Sequence, residues 1–144
     1  MARRDGIVRA YVTGDKEFQK RLRGAARAFP EESKDIALDV AEMVALFARR
    51  KVPLGPARNG HVRNSLEGKV RRGTPVVDGG GPGFPYYGWL EFGGRVGIDR
   101  SVFRSREPDG RYIYPTVFQR RAQAEEIMAD GLAQLMRRHG IRVT

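Results

Sequence analysis

Between Pro30 and Pro53, Ile36, Val40, Met43, Val44 and Phe47 recur at the 3.6-residue period of a helix. Ala37, Ala41, Ala45 and Ala48 flank them and leave room for other elements to approach closely. Pro30 suits the first position of a helix, and Val52-Pro53 stops one. Glu31, Glu32 and Asp35 fall in the first turn and Arg49, Arg50 and Lys51 in the last, so both ends complement the helix dipole. Burying the five large side chains contributes about 2 kcal/mol each before entropy is subtracted. A long amphipathic helix over this span is the element around which any fold of the chain must form. Its Arg49-Arg50-Lys51 run resembles a nucleic-acid patch in isolation, but a helix C-terminus accounts for it.

The neighbouring segments supply an α+β pattern. Ile7-Val8-Arg9-Ala10-Tyr11-Val12 reads as a strand ended by Thr13-Gly14. Asp15 is placed to cap a helix running to about Ala28, with Phe18, Leu22, Ala25, Ala26 and Phe29 on one stripe. After a turn-rich loop over 54–60, residues 62–71 alternate, with Leu66, Gly68 and Val70 on one face. Arg72-Gly73 turns the chain into an antiparallel return over 74–78, where Pro75 predicts an edge strand or a bulge. A short strand is expected over 111–114. Pro115 then starts a closing helix with Val117, Phe118, Ala122, Ile127, Leu132, Leu135 and Met136 as its apolar positions, weakened by Gly131 and fraying near His139. Glycine-rich stretches over 79–85 and 93–110 read as mobile loops.

The expected architecture is one domain over residues 1–144. A small antiparallel sheet is packed by the long amphipathic helix and the C-terminal helix, with long mobile loops between. With 40% hydrophobic and 31% charged residues, composition excludes a disordered or membrane-embedded chain. No run approaches the roughly 20 apolar residues of a membrane span. The charged start, Met1-Ala2-Arg3-Arg4-Asp5, gives no sign of a signal peptide. A net charge of +10 points to nucleic acid, an acidic protein partner or solubility. Its scatter along the chain weakens the first of these.

Little in the sequence suggests catalysis or a cofactor. The absence of cysteine excludes disulfides, thiolate metal sites and cysteine nucleophiles. Gly79-Gly80-Gly81-Pro82-Gly83-Phe84 begins like a dinucleotide loop, but Phe84 stands where the last glycine belongs, and no lysine of a phosphate loop follows. His61 and His139 have no second ligand close by, and the serines lack a nucleophile elbow. Glu91 is the one carboxylate set among rings, and it reads as a paired or capping acid. Two helices meeting at Pro30 admit a helix-turn-helix over 15–51, but acids at the start of the second would repel phosphate. No enzyme activity, cofactor or metal is expected.

The richest stretch is Phe84-Pro85-Tyr86-Tyr87-Gly88-Trp89-Leu90-Glu91-Phe92-Gly93-Gly94, which holds the single Trp, two of five Tyr and two of seven Phe. Rings with polar tips suit both a core and an interface. Tyr86 and Tyr87 lean toward an interface, while Trp89 and Phe92 are balanced between the two roles.

Taken in order, three passages resemble the small neck or tail-completion proteins of long-tailed double-stranded-DNA bacteriophages, the Hong Kong 97-type gene-product-ten family. One is the long helix ending in Val52-Pro53 with Gly60-His61-Val62-Arg63-Asn64-Ser65-Leu66 after it. The second is Tyr86-Tyr87-Gly88-Trp89-Leu90-Glu91-Phe92-Gly93-Gly94, with Gly94 where the family has threonine. The third is Tyr112-Ile113-Tyr114-Pro115-Thr116-Val117-Phe118. The likeness covers about residues 35–136.

The resemblance implies a non-enzymatic ring of six copies, with twelve as the alternative, joining the capsid connector to the tail. Head-closure and tail-terminator proteins would be its neighbours in the virion, after synthesis in the host cytoplasm. Double-stranded DNA would pass through its channel without sequence specificity, and no membrane is involved. Rings need two different patches that meet on adjacent copies. The candidate interface residues are Tyr86, Tyr87, Trp89, Glu91, Phe92, Arg95, Arg100, Phe103, Arg104, Arg106, Tyr112 and Tyr114. The alternative reading from composition is a basic DNA- or RNA-binding protein, and a small hydrolase is a remote third.

Overall fold

In the computed structural model, which describes residues 6–55 and 60–141, Pro30 ends one helix and opens the next. Helix α1 (Lys16–Ala28) starts at Asp15, whose carboxylate accepts from the backbone N–H of Glu17 at 2.9 Å and of Phe18 at 3.4 Å. Helix α2 (Pro30–Lys51) runs 22 residues with Pro30 in its first turn. The charged start over 1–5 and the middle of the turn-rich loop over 54–60 lie outside the described residues.

The most deeply buried side of α2 is its alanine side. Ala37, Ala41, Ala45 and Ala48 are fully covered together with Val40 and Val44, whereas Ile36, Met43 and Phe47 are half-buried. The reason is distance. Strands β1 (Ile7–Tyr11), β2 (Glu67–Arg71) and β3 (Thr74–Gly80) form an antiparallel sheet in the order β1-β3-β2. Strand β2 lies so close to α2 that a Cβ at Gly68 would collide with the backbone of Ala41 and Glu42. Glu42 seals the same edge, accepting from Gly68 N–H at 3.1 Å, and Arg49 donates to the Leu66 carbonyl at 2.9 Å. Arg49 is thus engaged inside the fold, as the helix-end reading of its basic run implied.

Val8, Ala10, Val77 and Leu66 line the inner face of the sheet. On the outer face the cross-strand partners Arg9 and Asp78 make a bidentate pair at 2.6 and 2.8 Å, with Lys69 Nζ 3.5 Å from the same carboxylate. Helix α4 (Ile113–Arg138) packs along α2, and its N-terminal part meets β1 and β3. Gly131 permits that approach, since a Cβ there would stand 3.0 Å from Ile36 Cγ2.

Several expectations are corrected. Residues 62–65 form a 3-10 turn, and only 67–71 are strand. β3 is central rather than an edge strand, and it extends through Gly80. Pro75 is tolerated because its register lies beyond the last residue of β1. Val12 N–H donates to the Pro75 carbonyl at 3.0 Å, and the Val12 carbonyl, deprived of a ladder N–H, accepts from Arg121 Nε at 3.1 Å. Residues 111–114 are not a strand, since α4 begins at Ile113 with Pro115 in its first turn.

Within 93–110 lies a hairpin of β4 (Gly94–Val96) and β5 (Val102–Arg104). Phe118, Ala122 and Ile127 face solvent, and Ala124 and Met128 fill the core side of α4 instead. The end of α4 closes rather than frays. With Gly140 at φ 74°, Ile141 N–H reaches the Met136 carbonyl at 2.8 Å and Gly140 N–H the Arg137 carbonyl at 3.0 Å, a Schellman cap.

Gly68→Ala should cost about 3 kcal/mol in chemical denaturation, because the added methyl meets backbone that cannot move aside. Gly24→Ala, in α1 with open space at its Cβ, should stabilise by about 0.5–1 kcal/mol in the same assay.

Candidate functional site

The aromatic stretch folds as a short helix, α3 (Tyr87–Phe92), that divides its rings between two surroundings. Tyr87, Leu90 and Glu91 face inward, while Trp89 and Phe92 are half-buried and Tyr86 is exposed. The glycine run before it admits the inner face. Gly79 lies against the Tyr87 ring and Ile113, and at Gly80 a Cβ would press on Tyr87 Cβ at 2.8 Å. At the far end Gly93 adopts φ 79°, and any Cβ there would collide with the Ser105 carbonyl.

Glu91 is fully buried, four residues after Tyr87 on the same helical face. Its Oε1 accepts from the Tyr87 hydroxyl at 3.1 Å and Ile113 N–H at 2.7 Å. Its Oε2 accepts from Arg111 N–H at 2.5 Å and Tyr112 N–H at 2.6 Å. Three of these donors belong to the start of α4, so Glu91 caps that helix from a distant part of the chain. The capping role read from the sequence is the observed one. Burial, and then the charge of Glu91, push the Tyr87 hydroxyl well above the ordinary tyrosine range. Tyr114 is raised for the same two reasons, burial first.

The candidate interface residues therefore separate. Tyr87 and Glu91 belong to the core and present no surface, which corrects their assignment to an interface. Half-buried Arg104, Tyr112, Tyr114, Trp89 and Phe92 form a supporting lattice. Arg104 lies 5.6 Å from the Trp89 ring centre and donates to the Tyr112 hydroxyl at 2.6 Å. Phe92 packs on Tyr114 at 5.3 Å between ring centres, and the Tyr114 hydroxyl donates to the Arg9 carbonyl at 2.8 Å.

Tyr86, Arg95, Arg100, Phe103 and Arg106 are exposed. Arg95 and Phe103 are cross-strand partners on the β4–β5 hairpin, with the guanidinium 5.1 Å from the ring centre. Two residues missed in the sequence join them: Ile98 and Val102 are 86% and 48% exposed on the same hairpin. Their signal was hidden because neither shows a period. Beside the hairpin, Pro85, Tyr86, Trp89, Phe92 and Val96 line an apolar groove of about 580 Å³. A second groove, of about 740 Å³, runs between β1 and the start of α4, where Tyr11, Tyr114 and Phe118 meet Arg9 and Arg121. Phe118 is 76% exposed there.

Among the described residues, no group of three His, Asp or Glu side chains is placed to hold a metal ion. No helix there is long and apolar enough to cross a membrane. His61 Nδ1 lies 3.0 Å from the Leu54 carbonyl, and His139 stacks on Phe29 at 4.4 Å beside Glu32. No family model matches the chain, and no match was found among curated proteins or solved structures.

Glu91→Gln should lower stability by about 2–4 kcal/mol, because an amide offers one acceptor where four donors converge. Hydrogen exchange at the Arg111, Tyr112 and Ile113 amides should quicken more than elsewhere in α4. The raised Tyr87 value makes the folded state the tighter proton binder above pH 10, so stability is full below that pH and falls as pH rises past it. Denaturation midpoints measured from pH 9 to 11 should show a shallower fall for Tyr87→Phe than for the parent.

Proposed function

We propose that the chain is a structural ring subunit at the head–tail junction of a long-tailed double-stranded-DNA phage. In this reading it joins the capsid connector to the tail and lets DNA pass. The observation that carries the reading is the β4–β5 hairpin, which leaves Ile98, Val102 and Phe103 exposed to water. Val102 and Phe103 are consecutive in β5 and stand on opposite faces of the hairpin, and apolar surface concentrated in this way on one short element marks a contact surface. A second, separate apolar surface lies around Phe118 and Tyr11. Two unlike patches on one subunit are what head-to-tail closure into a ring requires.

The resemblance of the three sequence passages supplies the biological setting. Six copies is the expected number, with twelve as the alternative. Arg95, Arg100 and Arg106, exposed around the hairpin and groove, suit acidic faces on head-closure and tail-terminator neighbours. The lattice behind them, from Arg104 through Trp89, Tyr112 and Tyr114, holds the surface in shape, so little ordering entropy opposes assembly.

Phe103→Ser should leave the melting temperature close to that of the parent, since the ring contacts little of its own chain. The same change should abolish ring formation in sedimentation of the subunit mixed with its virion neighbours. Imaging of the native particle should find the subunit between capsid and tail; its absence there rejects the assignment.

A further inference from the structure

The outer face of α1 is a line of cations. Lys16, Lys20, Arg23 and Arg27 recur at i, i+4, i+7 and i+11, and all four are exposed. At about 100° per residue they fall within an arc of roughly 60°, and at 1.5 Å per residue the line runs about 16 Å. The β2–β3 turn extends it. Arg71 and Arg72 share a concavity of about 360 Å³ with Arg23 and Gln19. That juxtaposition is fixed by packing, because a Cβ at Gly73 would stand 3.0 Å from Ala26 Cβ and 3.2 Å from the Leu22 carbonyl of α1.

Among the described residues, none of these six cations has a carboxylate partner, whereas Arg9, Arg49, Lys69 and Arg138 each do. The nearest acids on α1 do not neutralise the line. Asp15 is committed to the helix cap, and Glu17, three residues before Lys20 on the flank of the line, makes no ion pair with it among the described residues. Arg72 is also held at φ 52°, with Gly73 at 80°, as the first residue of a two-residue turn with both φ positive. That position favours Asn or Gly, and a long side chain there costs about 1 kcal/mol. A residue kept at such a cost points to a use for its charge.

We propose that this ridge is a contact for the phosphate backbone of double-stranded DNA, made without reading bases. Along one strand phosphates advance about 3.4 Å per nucleotide of duplex axis while winding about 35° around it, so a straight line of about 16 Å meets two or three of them, and the β2–β3 turn beside it adds a further contact. A protein partner is a poorer fit. Such interfaces centre on desolvated aromatic or apolar anchors, and here the concavity holds one ring, Tyr11, at its margin. Base reading is a poor fit as well. The amide of Gln19, the one carboxamide in the concavity and the group suited to an adenine edge, donates to the Thr13 carbonyl at 2.7 Å, and the arginines that remain suit phosphate as well as guanine. Cations on flexible stems, with no base contacts, hold a duplex while letting it slide. In a ring this face would be the one the passing DNA meets, and to that extent the inference rests on the function proposed above.

The test uses the full isolated chain and a labelled random-sequence duplex, with anisotropy measured across a salt series. Lys20→Gln/Arg23→Gln/Arg71→Gln should reduce the slope of log affinity against log salt by about 2.7 and weaken binding at least about ten-fold. Lys34→Gln/Arg50→Gln/Arg137→Gln removes equal charge elsewhere on the exposed surface and should leave the slope near the parent's. Arg23→Lys/Arg71→Lys keeps the charge and should keep the slope, which separates a lost contact from a damaged fold. Equal losses in both triple variants would reduce the effect to net charge and overturn the proposal. So would a parent that binds polyglutamate but no duplex, which would indicate an acidic protein partner. Failure to form rings with duplex affinity intact would remove the head–tail reading and leave this contact standing.

Discussion

The Glu91 carboxylate joins α3 to the start of α4. Taking a carboxylate out of water costs several kcal/mol, and a single hydrogen bond does not recover that. Four donors do, because bonds to a charged group contribute about 1.5–3 kcal/mol each when well made. Three of them are backbone N–H groups at the start of α4, which would otherwise lack partners. One side chain thereby fixes where the longest helix begins, sets the orientation of α3 and holds the segment between them closed. Gly110, at φ 80°, is part of the same arrangement: any Cβ there would lie 2.6 Å from Glu91 Oε2. The carboxylate and the glycine are a matched pair, neither of which works with the other changed.

Around this join the protein is built on closeness more than on large side chains. On the alanine side of α2 the backbone of β2 approaches at Gly68, while Gly79 in β3 and Gly131 in α4 let the side chains of Ile113, Leu66 and Tyr87 and of Ile36 lie directly on the main chain. Dispersion contacts fall away steeply with distance, so a fold that lets neighbours rest on the main chain recovers in packing what it gives up in side-chain area. This explains how Ile36, Met43 and Phe47 can stay half-exposed on the central helix without loss of its anchoring role. Phe47 is covered instead by guanidinium groups, Arg120 at 3.9 Å and Arg50 at 5.8 Å from the ring centre.

What was legible in the sequence follows from how local each cause is. Asp15 caps the helix directly after it, and Pro30 marks a boundary through its own ring, so both were readable from residues alone. The alternation of Leu66, Gly68 and Val70 gave the face of β2 correctly, because a period of two needs no partner to define it. The errors came from distant causes. Pro75 sits in a central strand because Arg121, 46 positions later, serves the carbonyl that proline leaves unpaired. Residues 111–114 look like a strand until Glu91 supplies acceptors for three of their neighbouring N–H groups and turns them helical. Phe118 and Ile127 share a period with true core positions, and only the side on which α2 docks decides between them. Tyr87 is the instructive case in the candidate site: nothing local separates it from exposed Tyr86, and the glycines that make room for it have the composition of a loop.

The molecule divides its charges and rings in a way that bears on the functional reading. Cations near β1, β2 and the end of α2 are tied to Asp78, Glu42 or backbone carbonyls, and they help to hold the fold. Among the described residues those on the hairpin and on α1 have no carboxylate partner, and surface charge of one sign raises the energy of the isolated subunit through self-repulsion. Exposed Ile98, Val102, Phe103 and Phe118 add a further cost in water. Neither cost is required by the core, which is closed without them. A chain that carries both on a stiff frame gains more from being surrounded than from remaining alone, which favours a reading as an assembly part over one as a freestanding monomer.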